Sequence, residues 1–265
     1  MTEPGISSPK NPRVRAALDL RDRATRDAEG RTLIDGVREL HRALSGGAAV
    51  ETVFVDPAAL TDEGHAAVER ARASGASIVP ASAAVVARLA YGDRSEGLVA
   101  VVRIPDVALS TLEVGANALV VVLEGVEKPG NLGAVLRSAD AAGADAVILA
   151  DTRTDLFNPN AIRASLGTIF AVPVAAASTG DVRPWLDAHA FAVFAARVGA
   201  ARAYTEVDLR GPTALVLGSE AQGLTDAWDG EGVTPISLPM GGVADSLNVS
   251  ITAAVLLYEA RRQRG

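Results

Sequence analysis

The stretch that most constrains the fold is "ALVVVLEGV", residues 118–126, an apolar run broken only by Glu124 and Gly125. A strand with one wet face alternates apolar and polar side chains. A run without alternation belongs to a strand covered on both faces, as in a parallel sheet sandwiched by helices. "AVILA" (146–150), "FAVFAARV" (191–198) and "TALVLGSE" (213–220) repeat the pattern, and "AVPVAAAS" and "TPISLP" (234–239) read as extended. Helical patterns lie between them in "NLGAVLRSADAAG", in "NPNAIRASLGTIF" and around Trp185. Alternating strands and helices predict an α/β fold with a mostly parallel sheet.

The chain closes with "GGVADSLNVSITAAVLLYEARR" (241–262). Its second half reads as an amphipathic helix, apolar at Leu247, Ile251, Ala254, Val255 and Tyr258. Val249, Leu256 and Leu257 add a second apolar face, which suits burial on both sides. Ser246, Asn248 and Ser250 crowd polar groups into the first turn, and helix N-capping is the commonest use of such a serine as Ser246.

Ahead of this region lies a smaller α/β pattern. "RTLIDGVRELHRALSGG" (31–47) reads as a helix stopped by Gly46-Gly47. Strands follow at 50–56, near "SIVP" and at 97–104, with helices at 62–74 and 82–90. Pro105 and Gly115 punctuate a linker. The expected division is 1–105, a linker 106–117, and 118–265.

Composition narrows the chemistry. The chain has no cysteine, and His41, His65 and His189 are scattered, so a metal centre is not expected. The start "MTEPGISSPKNPRVR" is polar, and no apolar run reaches the roughly 18 residues of a membrane span. A soluble, cytoplasmic protein without membrane contact is expected. The net charge of −7 argues against nucleic acid when taken alone. Its distribution argues the other way. Residues 10–26 hold Lys10, Arg13, Arg15, Arg21, Arg23 and Arg26 against Asp19 and Asp22. This segment is either a solvated helix face or a patch that tracks phosphates.

Ligands in open α/β sheets bind beyond the carboxyl ends of the strands. Three strands here end in loops rich in glycine and polar residues. The first carries Glu124, Asn131 and Arg137, the second Gly218, Ser219, Glu220 and Gly223, and the third Met240, Gly241, Gly242, Ser246 and Asn248. "GVEKPGNLG" is not a dinucleotide fingerprint, and "GSEAQG" is neither a nucleophile elbow nor followed by a histidine.

"NLGAVLRSADAAG", "LVLGSEAQGL" and "ISLPMGGVADSLNVSITAAVLLYE" resemble, in order and spacing, the three motifs of the SpoU (TrmH-type) RNA 2′-O-ribose methyltransferases of the SPOUT superfamily. The likeness spans roughly 117–262. The segment before the linker is similar, more weakly, to the L30e-like substrate-binding domain fused ahead of many such enzymes. The resemblance implies a C-terminal trefoil knot holding S-adenosylmethionine, a homodimer with its sites near the interface, and an RNA substrate. By position it implies cofactor contacts at Leu217, Gly218, Ile236, Leu238, Met240, Ser246 and Leu247, and catalytic roles for Asn131, Arg137, Glu220, Ser246 and Asn248. Lys128 departs from the family pattern, in which Asp or Asn often precedes the proline of the first motif.

The residue types suit that chemistry. S-adenosylmethionine brings an activated methyl group, so no metal is needed. The protein must align a ribose 2′-hydroxyl with the methyl carbon and help its proton leave. Arginine is an unusual base because it stays charged. Arg137 is expected to clamp a phosphate and stabilise the developing alkoxide, with proton transfer as the other reading. The N-terminal domain favours ribosomal RNA of the large subunit, with antibiotic resistance as one such role. Transfer RNA, a non-catalytic RNA-binding assembly factor and a metabolic α/β enzyme are the alternatives.

Overall fold

The computed structural model describes residues 5–91 and 96–265. These fall into two compact units, Met1–Pro105 with Asp155–Ala171, and Asp106–Thr154 with Val172–Gly265.

The first unit holds α1 (Pro12–Asp19), α2 (Arg23–Glu29), β1 (Arg31–Asp35), α3 (Val37–Ser45), β2 (Val50–Val55), α4 (Asp62–Ala73), β3 (Ser77–Pro80), α5 (Ala83–Leu89) and β4 (Leu98–Arg103). Its sheet runs β1-β4-β2-β3, antiparallel except for the β2–β3 pair. The helices start where the sequence supplies caps. Asn11 accepts a hydrogen bond from Arg13 N at 2.9 Å just before Pro12, and Asp22 accepts from Thr25 N at 3.1 Å.

The stretch 31–47 departs from expectation. It is not one helix but β1, then Gly36 at φ 130°, then α3. That φ lies where only glycine is comfortable, so the backbone turns there. Thr32, Leu33 and Ile34 are buried against β4, and that pairing overrides their helical spacing.

The second unit holds β5 (Leu119–Glu124), α6 (Pro129–Ala142), β6 (Ala146–Ala150), β7 (Val174–Ala177), α8 (Thr179–Ala188), β8 (Ala192–Ala196), β9 (Thr213–Leu217), β10 (Val233–Ile236) and α9 (Val249–Arg264); α7 (Pro159–Ala164) lies between β6 and β7 in sequence. All six strands are parallel, in the order β10-β8-β9-β5-β6-β7. The central strands are fully buried: Val120, Val121, Val122, Leu123, Leu215 and Val216 are each 0 % exposed. Each such side chain contributes about 1.5–3 kcal/mol by leaving water. The expected linker is structured: it carries a 3-10 turn at Leu109–Thr111, Ala108 bridges to Ala176, and the segment belongs to this unit.

The last helix also departs from expectation. Val249, Ala253, Leu256, Leu257 and Ala260 are its buried face. Leu247, Ile251 and Tyr258, apolar positions of the sequence pattern, are 39 %, 51 % and 52 % exposed. Ser246 does not cap the helix. Asn248 does, its Oδ1 accepting from Ser250 N at 2.9 Å and Ser250 Oγ at 2.6 Å. A chain with two apolar faces buries one of them on its own sheet and leaves the other in solvent, and periodicity alone does not say which.

Segment Asp155–Ala171 belongs with the first unit rather than with the strands that flank it in sequence. The expected single helix there is broken. α7 ends at Ala164, Leu166 and Gly167 take φ 54° and 80°, and one 3-10 turn follows at Thr168–Phe170. Its polar ties are long-range: Thr32 Oγ1 donates to Phe157 O at 2.6 Å, and Arg42 donates to Leu166 O at 2.7 Å. Arg26, 1 % exposed, pairs with Asp155 and donates to the carbonyls of Leu20 and Arg21 at 2.7 Å each. Breaking a buried ion pair leaves an uncompensated charge, at about 3–5 kcal/mol. Arg26→Ala is therefore expected to destabilise the first unit by that amount in urea denaturation, while Arg15→Ala on exposed α1 stays within about 0.5 kcal/mol. Equal, small effects would refute the clamp.

Candidate active site

The strand order of the second unit's sheet reverses between β9 and β5, and such a switch point opens a crevice at the strand ends. Two cavities lie there. The first, of about 650 Å³, sits beyond β8, β9 and β10. Leu217, Gly218, Ile236, Leu238, Met240, Ser246 and Leu247 all line it, so every residue expected to touch the cofactor reaches one space. Gly218 is required sterically: a Cβ there would overlap the backbone of Gly223 and Leu224, because the loop folds back on itself through a Ser219–Gly223 bridge. The second cavity, of about 530 Å³, lies beyond β5 and β6 and is lined by Lys128, Asn131, Asp151, Arg153, Ala221 and Gln222 among others. Ser219, Glu220, Gly223 and Val249 line both.

Glu220 ties the three loops together. Its carboxylate pairs with the Lys128 ammonium and accepts hydrogen bonds from Asn131 Nδ2 at 3.0 Å and from Asn248 Nδ2. Asn248 Nδ2 also reaches Asn131 Oδ1 at 3.2 Å. The Lys128 hydrogen bond, then that of Asn131, holds the Glu220 carboxyl below the usual glutamate range. Four of the five expected catalytic residues thus fall on or beside this wall: Asn131, Glu220 and Asn248 in mutual contact, and Ser246 exposed in the first cavity.

Arg137 is the exception. It is exposed on α6, lines neither cavity and makes no hydrogen bond or ion pair with a described residue. Within one chain it does not reach back to the loop that Asn131 opens. Six residues of helix separate it from Asn131, which turns the two side chains about 120° apart.

A deeper carboxylate supports the wall. Glu124, 3 % exposed at the end of β5, accepts from Thr179 Oγ1 at 3.0 Å and from Thr225 N and Oγ1 at 2.8 Å each. It fastens the start of α8 and the loop after β9 to the central strand. Sequence reading placed Glu124 at a strand end but missed Thr179 and Thr225, which carry no motif. Lys128 was noted only as a departure, and its pairing with Glu220 was missed.

The basic segment separates into different roles. Lys10 and Arg15 are exposed, and neither side chain bonds to another described residue. Arg13 donates to Ser77 Oγ at 3.1 Å, and Arg23 pairs with Asp27 at 3.5 Å. Arg21 is a correction. Rather than standing free for phosphate, it donates to Arg88 O and Ala90 O at 2.9 and 2.6 Å, capping α5, and stacks over Tyr91. Among the described residues no group of three or more His, Asp or Glu is placed to hold a metal, and no helix is long and apolar enough to cross a membrane.

A parallel sheet with a ligand-sized cavity at its switch point, walled by a fixed carboxylate and two amides, defines an α/β enzyme domain. Comparison with known proteins says which kind. Residues 118–258 match the SpoU rRNA Methylase family, and residues 11–100 match the MRM3-like substrate binding domain. The chain belongs to the SpoU rRNA methylase family and is an RNA 2′-O-methyltransferase. It is 32 % identical to a 23S rRNA (uridine(2479)-2′-O)-methyltransferase of Streptomyces viridochromogenes over 94 % of this chain and 88 % of that one. A crystal structure of an RNA 2′-O ribose methyltransferase superposes with a TM-score of 0.84 at 42 % identity, covering 98 % of each chain. An AdoMet-bound rRNA methyltransferase from Sinorhizobium meliloti superposes at 0.87 with 29 % identity, covering 97 % of each.

The Glu220 carboxyl carries a pH signature. Because its folded value is lowered, the wall contributes stability that is present above the ordinary glutamate range and lost as pH falls through the lowered value. Carbon-detected NMR is expected to show Glu220 titrating below a typical glutamate, and Asn131→Ala is expected to move it upward. A normal midpoint in the native protein would contradict the arrangement.

Proposed function

We propose that this protein transfers the methyl group of S-adenosylmethionine to a ribose 2′-hydroxyl of 23S ribosomal RNA, in the cytoplasm, as a homodimer. The observation that carries the reading is the gathering of Asn131, Glu220 and Asn248 at one point, with Glu220 forming part of the wall between the two cavities. That cavity fits the cofactor: Leu217, Ile236, Leu238 and Val249 offer apolar walls for an adenosine, and Gly218 lets backbone come close. S-adenosylmethionine supplies a methyl carbon already activated by its sulfonium. The chain's own work is alignment and handling of the hydroxyl proton. Glu220, held ionised, accepts a hydrogen bond from the 2′-hydroxyl, and Asn131 and Asn248 keep the carboxylate aimed. Relatives named for 23S rRNA, and a substrate-binding domain matched at 11–100, support the substrate class. Lys10, Arg13, Arg15 and Arg23 contact RNA phosphates in this reading.

Dimerisation is supported by Ile251 and Tyr258, exposed apolar side chains one above the other on α9, whose other face is already packed, with Leu247 exposed just ahead of the helix. The trefoil knot implied by the family resemblance, formed by the loops after β9 and β10, is part of the same reading. Arg137 acts on RNA phosphate and the developing alkoxide, a role that its planar fork of donors suits.

Single-turnover methylation of a 23S transcript tests this. Arg137→Ala is expected to keep cofactor binding and lose roughly 10² to 10³ in rate, as removal of one oxyanion donor does. Lys at this position rescues poorly if the planar fork is needed. Near wild-type rates for Ala, or a sedimenting mass that stays at 27.1 kDa in the active protein, would overturn the corresponding part of the reading.

A further inference from the structure

None of the residues expected to touch the cofactor lines the second cavity, yet it shares a wall with the first. Methyl transfer needs the acceptor oxygen in line with the methyl carbon at about 3–3.5 Å. Donor and acceptor must therefore meet at residues that face both spaces. Among the lining residues these are Ser219, Glu220, Gly223 and Val249. The cavity's volume of about 530 Å³ lies in the range that holds a small ligand. Its lining suits a sugar phosphate: Lys128 and Arg153 are cationic, and Asn131, Ser219 and Gln222 offer hydrogen bonds.

We propose, resting on the methyltransferase reading above, that the second cavity receives the acceptor ribonucleotide, with Lys128 as the grip on its phosphate. Lys128 is suited to exchange partners. Its side chain is 72 % exposed, its bond to Glu220 spans the wall between the cavities, and an ion pair so exposed to water holds only weakly. A phosphate entering the cavity competes for the ammonium and frees one oxygen of Glu220 toward the 2′-hydroxyl. Asn131 and Asn248 keep hold of the carboxylate during that exchange. The other charged groups lining the cavity are Glu124, Glu127, Asp151 and Arg153, and Arg197 and Asp245 line the first. Lys128 gives this chain a cation at the mouth of its acceptor pocket.

The test uses Lys128→Gln and Ala221→Trp. Both residues line the second cavity and not the first. Ala221 is exposed on its loop, so the indole fills the cavity without disturbing the core. With the full-length protein, a 23S transcript and S-adenosylhomocysteine as the cofactor probe, two quantities are read: KM for RNA and cofactor affinity by calorimetry. The expected result for Ala221→Trp is a fall in kcat/KM of tenfold or more. Lys128→Gln is expected to raise KM several-fold and to reduce the slope of log affinity for RNA against log salt by about 0.7, as loss of one single-strand phosphate contact does. Lys128→Arg should restore most of it. Cofactor affinity should stay within twofold throughout. An unchanged KM in both variants, while the wild type methylates the transcript, would overturn the acceptor pocket; so would loss of cofactor binding in Ala221→Trp, which would make the two cavities one site. Absence of methylation by the wild type would instead count against the 23S assignment.

Discussion

One carboxylate holds the site together. Glu220 follows β9, Asn131 opens α6 and Asn248 caps α9, so three segments far apart in sequence meet at one anion. An ionised acceptor draws donors more strongly than a neutral one, and two amides and an ammonium converge on this one. The geometry also divides labour within Asn248. Its Oδ1 caps the helix and its Nδ2 serves the site, so the start of α9 cannot fray without releasing the wall.

Beneath that wall, Glu124 does for the backbone what Glu220 does for the side chains. It is buried at the end of a strand that is otherwise wholly apolar, and it accepts three hydrogen bonds. A buried carboxylate is costly unless satisfied, and removing one of its donors leaves the penalty exposed. The loop 218–225 is thus pinned at both ends, by Gly218 packed on Gly223 and by Thr225 on Glu124. The loop is held at its two ends and exposed where Lys128 meets Glu220.

The fold of the second unit was legible because fully buried parallel strands need no alternation, and the runs at 118–126, 146–150 and 213–217 could be little else. The errors have physical causes. At 31–47 a strand and a helix share apolar spacing, and only Gly36 marks the turn between them. At α9 two apolar faces were visible, and the sequence could not rank them. The placement of 155–171 with the first unit rests on Arg26–Asp155 and Thr32–Phe157, pairs separated by more than a hundred residues. The motif residues that meet at Glu220 were legible as a set, through family resemblance. Arg21 was misread because a cation on a helix looks the same whether it faces water or the carbonyls of α5.

The central claim is that Asn131 and Asn248 act as one unit through Glu220. A double-mutant cycle on Asn131→Ala and Asn248→Ala, read as the single-turnover methylation rate, tests it most directly. Residues in one hydrogen-bonded network couple by about 0.5–3 kcal/mol, so the double variant should be little worse than either single one. Effects that add to within about 0.5 kcal/mol would mean that the two amides work independently, and the account of the wall would be wrong.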